Sequence, residues 1–263
     1  MHLSCFNVLF ITLAFVSVFA DAAAPRKHLD LVQRETLPHW ILGEVDNPSF
    51  FTDKDQKAFS KTLWNVRLGE KLPVGGKHNY AIYSLKGYGI RFKSNSLIMK
   101  VFNAVDNAAI GEAKALGAVG DLVASGIVKS LGSKPAIIMK KKPGQPLHTT
   151  NEYKAARETV REKMRDQTYR LMRKEVVNVA TKKYVLHDDN HPALSNVLVT
   201  MSGNNVKSVA LVDYGPPQTY FLDKSVTKGD VCNFYGDCEK PTTKQYLWEK
   251  EFPYVPPAPG TST

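Results

Sequence analysis

One long helical stretch set between runs of short strands most limits what this chain can fold into. The stretch is NEYKAARETVREKMRDQTYRLMRKEVVNVATKK, residues 151–183. Val160, Met164, Leu171 and Val179 supply an apolar stripe along it, and charges fill its other faces. Ahead of it, from residue 66, β-type runs are broken by glycines: KLPVGGKHNYAIYSL, YGIRFK and NSLIMKVF. These predict an antiparallel meander. NAAIGEAKALGAVGDLVASG (107–126) predicts a helix with Ile110, Ala113, Leu116 and Gly117 on one face, punctuated by Gly120 and Gly126. SKPAIIMKK predicts another strand and KKPGQPL a turn-rich connector. Beyond the long helix, NVLVT, the turn SGNN and VKSVALVDYG predict a hairpin. The class expected from this order is α+β. There is no internal repeat, and low complexity is confined to the terminal VPPAPGTST.

The first residues have a separate meaning. Val8 to Phe19 is an apolar run without a charge, followed at once by Ala20-Asp21-Ala22. That is the layout of a secretory signal peptide cleaved near Ala22, although no Lys or Arg precedes the run. The run is short for a membrane span, which needs roughly 20 apolar residues. A secreted mature chain without a transmembrane segment is therefore expected. Cys5 would leave with the signal, so Cys232 and Cys238 in VCNFYGDC remain as an even pair, expected to form a disulfide. The formal charge of +10 favours anionic partners. It is spread along the chain, and no aromatic–basic motif for nucleic acid stands out.

The polar stretch LHDDNHPALSNVLV, residues 186–199, concentrates chemistry. Four adjacent ligands from His187, Asp188, Asp189 and His191 would not converge on one metal, because consecutive side chains point in different directions. A different grouping is better suited. Asp213 ends the run VALVDYG beside a flexible glycine, and Asn196 stands just before the opposite strand of the same hairpin. A carboxylate and an amide from paired strands suit Mg²⁺, which takes one or two protein oxygens and leaves its other positions to phosphates and water. His187 and Asp189 end another short apolar run, and an aspartate held by a neighbouring histidine suits the task of orienting a hydroxyl.

The order of these features resembles that of the protein-kinase-like superfamily, including its aminoglycoside-phosphotransferase-type branch. In SLIMKVF, Lys100 resembles the strand lysine that holds the α- and β-phosphates of ATP. In GEAKALG, Glu112 resembles the helix glutamate that pairs with it. Asp189 in HDD stands in the place of the catalytic aspartate, and Asn196 and Asp213 match the two Mg²⁺ ligands, with DYG for the usual Asp-Phe-Gly. Gly75 and Gly76 stand for the phosphate-covering loop, and DNHP is similar to the Asp-x-His-Pro of small-molecule kinases.

There are departures. Asn196 lies two residues further from Asp189 than the family spacing, so PALS must loop out. Asp188 replaces the arginine of His-Arg-Asp, which argues against activation by a phosphorylated loop. Only 50 residues follow Asp213, and no Ala-Pro-Glu is among them.

The resemblance implies a two-lobed fold with an antiparallel N-lobe sheet and a reduced helical C-lobe. The expected division is a signal peptide (1–22), an extension (23–65), an N-lobe (66–142), a reduced C-lobe (143–222) and a disulfide-pinned tail (223–263). It implies a secreted effector kinase that uses ATP and Mg²⁺ to phosphorylate a hydroxyl of a host protein or small molecule. A secreted pseudokinase that serves as a binding module is the alternative. A structural or toxin-like protein with turn carboxylates stands as a third reading.

Overall fold

The computed structural model describes residues 37–73, 79–89, 96–189, 194 and 196–234. The residues from His39 on form one unit. The chain enters through β1 (Ile41–Glu44) and a single-turn helix α1 (Asp53–Gln56). Strands β2 (Val66–Lys71), β3 (Asn79–Tyr88) and β4 (Leu97–Phe102) follow, then helix α2 (Asn107–Val119) and strands β5 (Leu122–Val128) and β6 (Lys134–Lys140). The second half holds β7 (Gln145–Pro146), α3 (Asn151–Ala155), α4 (Glu158–Lys183), β8 (Val185–His187), β9 (Val197–Ser202), β10 (Asn205–Leu211), β11 (Thr219–Leu222) and α5 (Lys228–Phe234). This is a mixed α+β fold with antiparallel sheets.

Five strands form one sheet in the order β2-β3-β4-β6-β5, and alternation along β4 explains what its two faces carry. Leu97, Met99 and Val101 point into a cluster with Leu85, Ala136 and Ile138. Phe102 and Ile137 belong instead to the main core, together with Ala113 and Leu116 of α2. Lys100 lies in register with Ile82 on one side and Ile137 on the other, so it occupies the central strand on the α2 side. The run YGIRFK falls mainly on residues outside those described.

Two helix limits differ from the sequence reading. The helix expected over 107–126 ends at Gly120, which adopts a left-handed φ of 84° and caps it. The remaining residues are strand β5, where Gly126 gives the carbonyl of Lys61 room to approach. The helix expected over 151–183 is two helices, because Ala156 turns extended (φ −74°, ψ 148°). Arg161 secures the break by donating to the carbonyls of Tyr153 (2.9 Å) and Lys154 (2.8 Å). The face that α4 buries is Met164, Thr168, Met172, Val176 and Ala180, stepping by four, while Val160 and Leu171 are half-buried. This face packs against β10 and β8.

Part of the expected N-terminal extension is core. Strand β1 pairs antiparallel with β11, which pairs with β8, and Trp40, Ile41 and Val45 are buried in the main cluster. Its sequence hides this because four residues are too few for a periodicity to register. Cys232, in α5, is disulfide-bonded; Cys238 lies outside the described residues. No helix among the described residues is long and apolar enough to cross a membrane.

Candidate functional site

The centre of the site is a buried lysine between two carboxylates. Lys100 Nζ donates to both oxygens of Glu112, at 2.8 and 2.7 Å, and to Asp213 Oδ1 at 2.7 Å. Lys100 is 6% exposed and Glu112 3%, whereas the Asp213 side chain is 49% exposed. A lone charge at such depth would be costly, so each buried partner depends on the other. Residue 215 must be small here. A Cβ on Gly215 would lie 2.9 Å from Glu112 Oε2, so the glycine of DYG lets the chain pass directly over the glutamate. The sequence marks that glycine only as a flexible turn residue.

Charge follows from this geometry. Burial favours neutral Lys100, but the two carboxylates outweigh it and hold the ammonium above its ordinary range. Burial pushes the Glu112 carboxyl up to about 7; Lys100 counteracts this, while the negative charge of Asp213 adds to it. Asp213 shifts the other way, since the pull of Lys100 exceeds its own burial penalty and keeps it ionised. One cation thus serves two carboxylates, and the deeper one carries the deficit.

A pH dependence follows. Between pH 4.5 and about 7 the folded state binds a proton at Glu112 that the unfolded state has lost, so this group's contribution to stability falls as pH rises through that window. Asp213 and Lys100 titrate outside it. The urea midpoint of wild type minus that of Glu112→Gln, measured from pH 5 to 8, should therefore decline with rising pH. A flat difference would contradict the assignment.

The second group of residues gathers at the end of the β9–β10 hairpin. The amide of Val212 donates to the carbonyl of Asn196 at 3.0 Å, which extends the pairing and sets Asn196 and Asp213 at the same end. Asn196 Nδ2 donates to the Asp189 carbonyl oxygen (2.8 Å) and to its Oδ2 (2.9 Å). The two extra residues in the loop therefore do not keep Asn196 from Asp189. Leu194 helps to take up the length: it has a left-handed φ of 51°, is buried, and accepts from Val197 N at 3.1 Å. Asp213 itself has a left-handed φ of 63°, which Asp and Asn tolerate better than most residues.

His187 is fully buried and its Nε2 bonds the carbonyl oxygen of Val212 at 2.7 Å, which requires the nitrogen to carry the proton. Burial lowers its pKa, against the hydrogen bond and the nearby aspartates, so the ring is held neutral. It packs edge-on against Tyr214 with centroids 4.8 Å apart. The sequence suggested that a histidine would hold Asp189. Among the described residues, the Asn196 amide donates to Asp189, and His187 Nε2 ties β8 to Val212, the residue before Asp213. Tertiary packing decides this, bringing the end of β8 against the residue that follows β10, and adjacency in sequence cannot reveal it. The neighbouring Asp188 amide donates to Gln218 O at 2.8 Å, which continues the β8–β11 pairing.

Gly75, Gly76 and His191 lie outside the described residues. Among the described residues, no group of three or more His, Cys, Asp or Glu side chains is placed to hold a metal ion. Asp213 with the amide of Asn196 is a pair and not such a group. With its nitrogen directed at Asp189, the amide of Asn196 turns its oxygen the other way. An exposed, ionised carboxylate and an amide oxygen form the donor set a hard cation takes when phosphates and water fill its other positions. No family model matches the chain, and no curated protein matches it either.

Proposed function

We propose that this chain is a minimal, secreted, two-lobed kinase-like phosphotransferase. In this reading the five-stranded sheet with α2 is the smaller lobe. The helix α4 with its hairpin and short sheets is a reduced larger one. The observation that carries it is the buried Lys100 bridging Glu112 and Asp213, with Asp189 and Asn196 joined at the end of the hairpin that delivers Asp213.

Each side chain then has a task. Lys100 leaves Asp213 for the α- and β-phosphates of ATP, while Glu112 keeps its ammonium in place. Asp213 and Asn196 would hold Mg²⁺, which would neutralise charge on the phosphate oxygens. Asp189 orients the acceptor hydroxyl and takes its proton. A bond forms from that oxygen to the γ-phosphorus as the bond to the β-phosphate oxygen breaks, and ADP departs. Gly75 and Gly76 would cover the phosphates. The apolar run ahead of Ala22 supports export, and the acceptor is a hydroxyl of a host protein or small molecule, as in an effector.

One observation favours a second reading. The Lys100–Asp213 contact at 2.7 Å joins the two groups that would have to separate for nucleotide and metal. A chain that keeps them joined would serve as a pseudokinase, a binding module for a partner protein. Thermal unfolding of the mature protein with Mg²⁺ and ATP tests the phosphotransferase reading. Nucleotide at a hundred times its dissociation constant adds about 2.7 kcal/mol of stability. A rise in melting temperature that requires both ATP and Mg²⁺ is expected. Its absence would leave the binding module as the better account.

A further inference from the structure

We infer that the segment from Val45 to Asp55 is a built-in strap that positions Glu112, acting through Gly111 and Lys114; this rests on the phosphotransferase reading of the site. Gly111 immediately precedes Glu112, and a Cβ there would collide with the carbonyl of Val45. The strap therefore lies directly on the helix backbone at that turn. Val45 is fully buried and its amide donates to Thr219 O at 2.9 Å. Two residues beyond Glu112, the ammonium of Lys114 donates to the carbonyl of Phe50 and pairs with Asp55 Oδ2 at 2.8 Å. It also lies 5.3 Å from the ring centroid of Phe221, which packs edge-on against Phe50.

Asp55 is itself fixed, since it and Thr52 form a reciprocal cap on α1. The strap thus grips α2 on both sides of Glu112 and is anchored on β11. The circuit closes through the site: Thr219 Oγ1 donates to Gly215 O at 3.0 Å, and Gly215 lies against Glu112. Glu112 is held from behind by the strap and from the front by the DYG glycine. Rotation of α2 by a fraction of a turn would carry the carboxylate away from Lys100, so these contacts decide whether the pair exists.

The test uses the full mature chain with Lys114→Met, Lys114→Arg and Asp55→Asn. Arg165→Met, which breaks an ion pair with Glu158 between α4 residues far in sequence from α2, serves as the control. Transfer kinetics and backbone hydrogen exchange of the free protein are both read. Lys114→Met and Asp55→Asn should lower kcat by about 10- to 100-fold with little change in KM for ATP, as a misplaced positioning group does. They should also speed exchange across residues 107–119. Lys114→Arg should restore both readouts, and Arg165→Met should move neither. Wild-type kcat in Lys114→Met, or equal losses in Arg165→Met, would overturn the inference. If wild type neither binds nor transfers, the phosphotransferase reading fails by itself. Exchange in α2 then still decides whether the strap holds the helix, and unchanged exchange in Lys114→Met overturns it.

Discussion

Asp213→Asn should lower phosphoryl transfer by about 10³-fold or more without unfolding the protein. Asparagine is the informative replacement because residue 213 has a φ of 63°, where alanine would add backbone strain to the loss of charge. The substitution keeps the shape and removes the carboxylate. Three consequences follow together. Among the described residues, Lys100 retains Glu112 alone as a charged partner, the negative charge that helps to raise Glu112 is gone, and the carboxylate donor proposed for Mg²⁺ is lost. Because asparagine fills the same volume and the residue 213 side chain is half-exposed, the change opens no cavity. The stability of the free protein should therefore change far less than the rate. The checks are γ-phosphate incorporation, or ATP hydrolysis if no acceptor is found, and a melting curve without nucleotide. A variant that transfers phosphate at the wild-type rate would remove Asp213 from the site. A variant that fails to fold would show that the contact with Lys100 is chiefly structural.

How much of this arrangement could be read in advance depended on the range of the interaction. Lys100, Glu112 and Asp213 could be singled out because each has a local mark: a lysine in an apolar strand, a glutamate inside a helix pattern, a carboxylate ending a strand before glycine. Their meeting point could be expected only through a resemblance of order. Spacing alone could not bring residues 100 and 213 together. The hairpin of β9 and β10 was legible from its two apolar runs and the turn between them, and with it the shared end of Asn196 and Asp213.

What escaped was set by tertiary contact. Ala156 carries no breaker signal, yet the helix parts there. Gly111 looks like a poor helix former inside α2, and its purpose appears only when Val45 lies against it. Strand β1 has four residues and little pattern, and it is a strand because β11 offers it an edge. His187 stands beside Asp189 in sequence, but its Nε2 bonds the carbonyl of Val212, just past β10 and 25 residues away.

The Asp189→Ala variant tests the other half of the proposed mechanism and should behave differently from Asp213→Asn. Asp189 makes no contact with Lys100 in the geometry above; its carboxylate is held by the amide of Asn196 at 2.9 Å. In the proposed role it acts on the acceptor, so its loss should reduce turnover by about 10²- to 10⁴-fold, the range of a general base. Binding of ATP with Mg²⁺ should remain close to wild type, because Lys100, Glu112 and Asp213 keep their places. Asn196 loses one acceptor but retains the Asp189 backbone oxygen at 2.8 Å, which alanine still supplies, so the amide stays oriented. The thermal shift with nucleotide is then the control within the same experiment. A variant that loses the shift along with activity would place Asp189 among the nucleotide-binding groups instead. If wild type gives the shift, yet wild type, Asp189→Ala and Asp213→Asn are equally inert with every acceptor tried, the pocket binds without transferring. The binding-module reading would then account for the same buried lysine, because a nucleotide can be held by the contacts that position it without its γ-phosphate being passed to an acceptor.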